Sequence, residues 1–566
     1  EALFERFRKD LQSLLRTIHL IIPEITREFV RESVLYVVQN AATATASEIE
    51  ASLVLYFAIG EGQTEPNLKS EYFRELTGSL IQSSIGDHAH SAVSTIYFET
   101  ISRFTKSIPL QEPLIVKLLG QILGNRGIRN PAPHVRSRVS YFFSRVARDL
   151  GPIVCNYAKD ILESITPLLN LELNQEEQVL SDTTQEPLYE AAGYLLYMLG
   201  DEGVQKVRLQ AFATNHINKM QLILQNKLYL QDSVENQAVY SNFLIRSIYC
   251  IACFSKGFQK PNATTRDFFL SFLNLCSLCV HTIPSNNELR ERLILILHRL
   301  VDFIDAEVLN FLRDPIELIL LSKSPVTLSA FIRLCNQLMS RLGARSQPVI
   351  DSILVPFICK IFEVLDSRSD SFEPADYEEL YRHYFLLLQS ILNTKVTAVL
   401  ISETNRPFLK NVLQTILTGC LGVNVKIKTV KLCFQLLEGL CSEWIGGLQG
   451  FEEFVEGELS AVLFTIGFSS QFSVDDAECF QVLQAIASLE KKIFDKSQAL
   501  CERTVAKALS KLSIAPSVAA DFYRTIHSDS GPSKSSALLL RQLIVSVTRP
   551  NASSSSSSSI SLPNPN

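Results

Sequence analysis

Apolar residues recur along almost the whole chain at positions i, i+3, i+4 and i+7, the spacing of one face of an α-helix. Sustained strand-like alternation of apolar and polar residues is absent from the sequence. Helix breakers and caps interrupt the pattern about every 15–22 residues. Dividing the 566 residues by a helix pair of about 40–47 residues predicts roughly 12–14 helix pairs. The pattern therefore predicts an all-α, superhelical solenoid of repeated helix pairs.

Composition favours one long array over several separate domains. Gly and Pro number only 22 each, and 46% of the residues are apolar. No linker rich in Gly, Pro or Ser divides the chain, so we expect a continuous solenoid over residues 1–549 and a disordered serine-rich tail over 550–566. The net charge of −6 excludes a wholly basic, nucleic-acid-coating surface, so a polyanion would have to bind at local basic patches.

The cysteines and the ends of the chain bear on compartment. Twelve cysteines, mostly in apolar helical segments, favour a reducing compartment over a disulfide scaffold. The chain begins at Glu1 without a signal peptide and looks like a piece of a longer protein that lacks its amino-terminal part. The most membrane-like segment, residues 268–283, is too short for a span and contains Asn274 and His281, so we expect a buried helix and no membrane partner.

Enzyme and metal chemistry find little support in the sequence. It lacks a GxxxxGK[ST] phosphate loop, a GxSxG nucleophile elbow and an HExxH pair, and we expect no catalytic residue and no cofactor. The best metal lookalike is Cys250 and Cys253 followed by Cys276 and Cys279. Both pairs lie in apolar helical sequence without glycine knuckles, so we interpret them as core cysteines rather than metal ligands.

Residues 114–149 contain the clearest single repeat. An apolar helix is followed by a turn with Asn130-Pro131, and then by a second helix that opens on Val135-Arg136. This order resembles the HEAT repeat, in which the second helices line the concave, partner-binding face.

The same stretch carries a narrower resemblance. Four segments occur in order: Tyr97–Thr100, Arg126–Arg129, Val135–Arg138 and Tyr141–Arg145. Four further segments agree, namely Leu3-Phe4, Tyr189–Gly193, Ile361–Leu365 and Leu512–Pro516. Together they resemble the exportin-T family of tRNA exportins, in the importin-β superfamily, over about the whole chain.

The resemblance implies a nuclear export receptor that binds mature tRNA together with GTP-bound Ran and releases its cargo in the cytoplasm. We expect the tRNA to be bound by shape and phosphate contacts on the concave face. It also implies contacts with FG-repeat proteins of the nuclear pore, shuttling between nucleus and cytoplasm, and a monomer. In this family the main Ran-binding repeats lie at the amino end, the part that this chain is expected to lack.

A concentrated basic patch agrees with an RNA ligand. Residues 125–149 contain six arginines and one carboxylate, Asp149, for a net charge of +5. At about 100° per residue, one face of the second helix carries arginine and tyrosine, and the opposite face is apolar. Arginine beside an aromatic ring suits an RNA backbone. The predicted RNA-binding residues are Arg126, Arg129, Arg138, Tyr141, Arg145 and Arg148, whereas Arg136 of the Val-Arg pair is assigned a structural role between repeats.

Two other segments are weaker candidates for phosphate contact. Lys496, Arg503 and Lys507 are separated by seven and four residues, which predicts one stripe backed by apolar residues. Lys426, Lys428 and Lys431 are a further candidate, and the basic residues of 203–230 are interpreted as solvated surface.

Residues 171–190 contain six carboxylates and no Lys or Arg. We interpret 171–187 as an acidic loop between helices that would repel RNA; contact with a basic protein is the alternative. For the whole chain, the alternative to tRNA export is a HEAT-repeat transport receptor or scaffold for a protein cargo.

Overall fold

The computed structural model describes residues 2–548 except 62, 174–179, 232–233, 424, 470–471, 513, 515–516, 519, 521 and 525–532. Across these described residues the secondary structure is helical, and no strand occurs. The chain divides into two compact units, residues 1–304 and 305–566. The single solenoid over 1–549 stays a prediction, and the predicted tail at 550–566 lies outside the described residues.

The first unit consists of sixteen α-helices in its described residues: α1 Ala2–Ile21, α2 Pro23–Gln39, α3 Ala46–Gly60, α4 Glu65–Leu68, α5 Glu71–Gln82, α6 Ser91–Arg103, α7 Glu112–Leu123, α8 Pro133–Asp149, α9 Gly151–Val154, α10 Ala158–Leu169, α11 Asp182–Met198, α12 Glu202–Gln225, α13 Leu228–Gln231, α14 Val234–Ser255, α15 Ala263–Thr282 and α16 Asn287–Ile304. Short 3₁₀ turns follow α5, α6 and α9.

These helices form two rows. The second row runs α1, α3, α6, α8, α11, α14, α16, each helix packed against the next. The first row contains α2, α5, α7, α10, α12 and α15. The aromatic core lies between the two rows. The Tyr56 ring of α3 stacks on the Phe104 ring with 4.2 Å between ring centroids, and the Phe104 centroid lies 5.2 Å from that of Phe73 on α5. Two facing rows that bury one continuous core are the arrangement of a helical repeat array.

Polar contacts between neighbouring repeats reveal the repeat length. Where side chains at equivalent positions of two neighbouring helix pairs contact each other, the number of residues between them approximates the length of one repeat. Three such hydrogen-bonded ion pairs, separated by 44 or 45 residues, are Arg31–Glu75, Arg16–Glu61 and Arg208–Glu163. These separations agree with the predicted period of about 40–47 residues.

The second unit has the same plan. Its described helices are α17 Arg313–Leu320, α18 Pro325–Leu342, α19 Gln347–Asp366, α20 Pro374–Asn393, α21 Leu409–Cys420, α22 Ile427–Trp444, α23 Phe451–Phe454, α24 Ser460–Val462, α25 Ala477–Lys496, α26 Gln498–Lys511 and α27 Ser533–Thr548. A π-helical turn, Val455–Leu459, joins α23 to α24. The second row runs α18, α20, α22, α25, α27, and the intervening helices form the first row.

Local sequence sets where many helices begin. Thr45 and Glu48 form a reciprocal capping box at α3, and Asn262 and Thr265 do the same at α15. Proline occupies the first turn of several helices, including α8, α18 and α20, where its missing N–H removes no helical hydrogen bond.

The acidic segment is only partly a loop. Residues 174–179 lie outside the described residues, but α11 already begins at Asp182, so the predicted loop over 171–187 is wrong for its last six residues. The carboxylates at 182, 186 and 190 repeat every four residues and therefore share one helix face. A count of acidic residues in the segment does not show this arrangement.

The apolar segments are core helices. Residues 268–283 fall largely within α15, which buries Phe269, Phe272 and Cys276, as predicted. Among the described residues, Asn236–Ser255 of α14 is also long and apolar enough to cross a membrane, but two thirds of its most apolar window is buried inside the protein.

Candidate nucleic-acid interface

A tight turn precedes the basic helix α8. The Ile128 N–H donates to the Ile122 carbonyl at 2.8 Å, and the Asn130 side chain accepts from the Ala132 N–H at 2.9 Å. A Cβ at Gly127 would lie 1.9 Å from the Ile122 oxygen, so this close approach of backbone requires glycine. The turn delivers Pro133 into the first turn of α8 and sets the direction of the helix.

The two faces of α8 are those predicted from the sequence. Five apolar side chains, each at most 1% exposed, form the core face: Val135, Val139, Phe142, Phe143 and Val146. The opposite face carries Arg138, Tyr141, Arg145 and Arg148, of which Tyr141 is 55% exposed. We call these four residues the α8 ridge.

Polar groups of α6 and of α8 itself hold the arginines of the ridge. The Arg138 Nε lies 3.1 Å from the Glu99 carboxylate, and the Arg145 guanidinium lies 3.5 Å from the Ser102 hydroxyl. The Arg148 Nε donates to Asp149 at 3.1 Å. Arg138 is 62% exposed in its pair, and exposed pairs stabilise a fold by only about 0.2–1 kcal/mol. A phosphate group could replace these partners at small cost.

The turn arginines do not join the ridge. The Arg129 guanidinium donates to the Leu123 carbonyl, and to the Ser164 carbonyl at 2.8 Å, which ties the turn to α10. Arg126 is half-buried on the turn. The sequence grouped both with the ridge because they are close in sequence, but they precede the helix that orients the other four.

Arg136 has a structural role, but the bonds of its guanidinium lie within its own repeat, and the predicted role between repeats stays a prediction. Its guanidinium donates to the Asn130 carbonyl at 2.8 Å and to the Pro131 carbonyl at 3.0 Å. These bonds brace the turn against the start of α8.

The prediction that Lys496, Arg503 and Lys507 form a stripe on one face of a single helix is wrong. Lys496 ends α25, and Ser497 then caps a new helix, α26, with its hydroxyl accepting from the Leu500 N–H. Helical spacing does not carry across this break. Arg503 and Lys507 remain one turn apart on α26, where Arg503 is paired with Glu456 at 2.8 Å. α26 belongs to the first row of the second unit, whereas α8 belongs to the second row of the first unit.

The carboxylates of α11 face α14 in a ladder that sequence reasoning missed. Asp182 pairs with Arg246 at 2.8 Å, and Glu190 pairs with Lys256 at 3.0 Å. Between them, burial raises the pKa of Glu186, which is hydrogen-bonded to Tyr249. These acids are therefore paired with residues of α14 and with Lys256, directly after it, rather than presented as an acidic loop.

A protein-family model described as Exportin-T matches residues 1–535 of this chain. The chain belongs to the exportin-T family. Among curated relatives, Exportin-T of Dictyostelium discoideum is 29% identical over 482 residues, covering 80% of this chain and 44% of the relative. Human Exportin-T is 26% identical over 546 residues, covering 93% of this chain and 56% of the relative. The chain thus spans about half the length of the curated relatives it matches.

Solved structures support the fold of this exportin-T chain. The structure titled "Importin13 cytosolic state" has a TM-score of 0.67 at 13% identity and covers 96% of this chain and 60% of its own. A crystal structure of importin beta has a TM-score of 0.55 at 13% identity and covers 91% of this chain and 59% of its own. The predicted class, an all-α HEAT-repeat solenoid, is confirmed.

The cysteine pairs of this exportin-T chain are core residues, as predicted. Cys250, Cys253, Cys276 and Cys279 are each at most 5% exposed. Burial raises the pKa of all four thiols, that of Cys253 to about 11, so they stay protonated at neutral pH. A protonated, buried thiol packs as a small apolar group.

Proposed function

We propose that this exportin-T chain is part of a nuclear export receptor that binds mature tRNA by shape and phosphate contacts, cooperatively with GTP-bound Ran, and releases it in the cytoplasm. The observation that carries the proposal is the α8 ridge on a second-row helix of a chain of this family, where Arg138, Tyr141 and Arg148 are exposed and Arg145 is half-buried.

The chemistry of the ridge suits duplex RNA. An arginine guanidinium offers two parallel N–H donors that match two phosphate oxygens, and it keeps its charge at any physiological pH. Double-stranded RNA is recognised mainly through backbone shape, because side chains cannot read its deep, narrow major groove. On α8, Arg138, Arg145 and Arg148 would bind phosphates, and Tyr141 would pack on the ribose or a base. The Arg138–Glu99 pair would exchange for an arginine–phosphate pair.

The remaining partners follow from family membership. GTP-bound Ran would bind mainly through repeats that precede these residues in the longer relatives. Contacts with FG-repeat proteins of the nuclear pore would let the receptor pass through the pore and shuttle between nucleus and cytoplasm. We expect it to do so as a monomer. Neither a catalytic residue nor a cofactor is part of the proposal.

A protein cargo is the second candidate function. The net charge of −6 and the carboxylate ladder of α11 favour it, since a basic protein would be attracted to such a chain. Against it, Asp182 and Glu190 of α11 are already paired with Arg246 of α14 and with Lys256, which directly follows α14.

Replacing the arginines of the ridge tests the proposal. The variant Arg138→Ala/Arg145→Ala/Arg148→Ala should weaken tRNA binding at least tenfold, because each phosphate contact is lost, and should leave the melting temperature nearly unchanged. A matched control removes three exposed lysines outside the second-row helices, with Lys159→Ala/Lys206→Ala/Lys260→Ala.

Fluorescence anisotropy with labelled tRNA, single-stranded RNA and a basic peptide gives the readout. The control should change the tRNA affinity less than twofold. Equal affinity of the ridge variant and the parent would contradict the α8 site, and tighter binding of the basic peptide than of tRNA would favour the protein-cargo alternative.

A further inference from the structure

The second unit carries a row of basic side chains that sequence spacing does not reveal. Arg333 of α18, Arg382 of α20 and Lys428 of α22 are exposed and stand on three successive second-row helices. Each is about one repeat from the next, so no local window of sequence contains more than one of them. We call these three residues the basic ladder.

Two observations bring the ladder together in space. Burial first, and then the positive charge of Arg333, hold the pKa of His383 below its usual value. Glu379 opposes this shift and Arg382 adds to it, so both guanidinium groups and one carboxylate lie near that ring. Arg382 and Lys428 also line one open cavity of about 600 Å³ between the starts of α20 and α22. The same cavity is lined by Arg368 and Lys426, and by the two carboxylates Glu378 and Glu379, so its lining holds four cations and two acids.

Carboxylates neutralise the ladder only in part. Among the described residues, no acidic side chain lies within the 4.0 Å ion-pair distance of Arg333 or Arg382. Lys428 pairs with Glu478 at 3.1 Å, but the two side chains are 75% and 50% exposed. Lys426 pairs with Glu378 at 2.6 Å and is 78% exposed. Pairs this exposed contribute little stability, so an incoming anion can take the cations at small cost.

The spacing of the ladder fits a polyanion better than a single small anion. Packed helices lie about 8–10 Å apart, so three successive helices carry charge over about 16–20 Å. One strand of a duplex places a phosphate about every 3.4 Å along its axis, so such a ladder would run beside about five phosphates. A lone phosphate would engage only one rung.

We propose that Arg333, Arg382 and Lys428 form a second RNA contact, which binds the phosphate backbone of a structured RNA. The inference rests on the proposed function, because it takes RNA as the ligand. It adds a site in the second unit that is independent of the α8 ridge. Lys426 and Arg368 flank the contact at the cavity, whereas Lys431 donates to Gln481 and is not part of the ladder.

The test replaces the ladder in the complete 566-residue chain. Arg333→Gln/Arg382→Gln/Lys428→Gln keeps a polar, hydrogen-bonding side chain at each position while removing three charges. The matched control, Lys323→Gln/Arg406→Gln/Lys410→Gln, removes three exposed charges of the same unit that lie outside the second-row helices. Circular dichroism should show the same helicity and melting temperature for both variants.

Binding of labelled tRNA is then measured against salt concentration. The ladder variant should bind about tenfold or more weakly, and the slope of log affinity against log salt should become shallower by about 2–3, since each lost contact removes about 0.7–0.9. The control should keep the parent affinity within twofold and the parent slope.

The outcomes separate this inference from the proposed function. One outcome is that the parent binds tRNA, the α8 variant binds it more weakly, and the ladder variant binds it like the control. The inferred RNA contact at the ladder is then overturned, and the proposed function stands. If the parent fails to bind tRNA, both are overturned. The ladder variant could instead bind an acidic or phosphorylated peptide more weakly than the parent does, with tRNA binding unchanged. That result would assign the ladder to a protein partner and overturn the RNA contact.

Discussion

A buried hydrogen-bond network in the first unit shows what one residue contributes. The Tyr189 hydroxyl donates to the Leu169 carbonyl at the end of α10, and it lies 2.8 Å from Nε2 of His216 on α12. Nδ1 of His216 lies 3.4 Å from the Ser247 hydroxyl of α14. The network therefore joins four helices through side chains that are buried and satisfied, which costs less than burying them unpaired.

The charge state of His216 makes the fold acid-sensitive. Burial, aided by the positive charges of Lys219 and Arg246, lowers its pKa from 6.5 to about 3. Between these values the unfolded chain binds a proton that the folded chain excludes. The stabilising contribution is therefore complete above about pH 6.5 and is lost as the pH falls, by up to about 1.4 kcal/mol per pH unit.

His216→Gln should flatten this dependence, because glutamine keeps hydrogen-bonding groups at the site but does not titrate. Melting temperatures measured from pH 7.5 to pH 4.5 should fall less steeply for the variant than for the parent. Parallel curves for the two proteins would show that His216 does not carry the acid sensitivity.

At the scale of helices, backbone contact fixes how α11 meets α14. A Cβ built on Gly193 of α11 would lie 2.1 Å from the Phe254 carbonyl oxygen, and one on Gly257 would lie 2.1 Å from the Gly193 carbonyl carbon. Two glycines thus permit an approach that any side chain would block. The ladder of Asp182, Glu186 and Glu190 depends on this approach, since it lies on the same pair of helices.

Gly193→Ala should destabilise the protein by about 3 kcal/mol or more, because the methyl group has only backbone to displace. Gly120→Ala on α7 is the control, since nothing lies within 4 Å of its added Cβ. It should be neutral or stabilise by up to about 1 kcal/mol through helix propensity. Urea unfolding of the three proteins measures both effects, and equal midpoints for the two variants would contradict the close packing.

For the whole molecule, charge is unevenly distributed. The chain carries −6 overall, yet residues 125–149 carry six arginines and one carboxylate. Long-range attraction to RNA is therefore weak, and affinity depends on short-range contacts at local patches. With a net charge of −6, this chain by itself should therefore bind tRNA weakly.

Salt titration tests this distribution. For about five phosphate contacts, the slope of log affinity against log salt should be roughly −3.5 to −4.5. If shape recognition governs binding, duplexes that mimic the acceptor and TΨC arms should compete as well as whole tRNA, and an anticodon stem-loop should compete poorly. Salt-independent binding, or equal competition by the anticodon stem-loop, would be incompatible with phosphate contacts at the acceptor half.

Much of the α8 ridge was predictable, and the reason is local. Within one helix the 100° step fixes which side chains share a face, so Val139 and Phe142 had to lie opposite Arg138. The same step failed at Lys496 because Ser497 ends the helix, and Lys496 and Arg503 lie on different helices. A lone Ser-Gln between two apolar helices is a weak boundary signal beside a proline or a glycine.

Sequence by itself determined the helices, their apolar faces and the repeat length, because these depend on residues within a few turns of each other. Tertiary structure alone decided which residues of different repeats meet. The partners of Arg138 and Asp182, and the basic residues that share a cavity with Arg382, lie on neighbouring helices. Their register depends on loop length and on close contacts such as Gly193 with Gly257. Periodicity within a helix carries no information about that register, so both the α11–α14 ladder and the basic ladder emerge only once the repeats are packed.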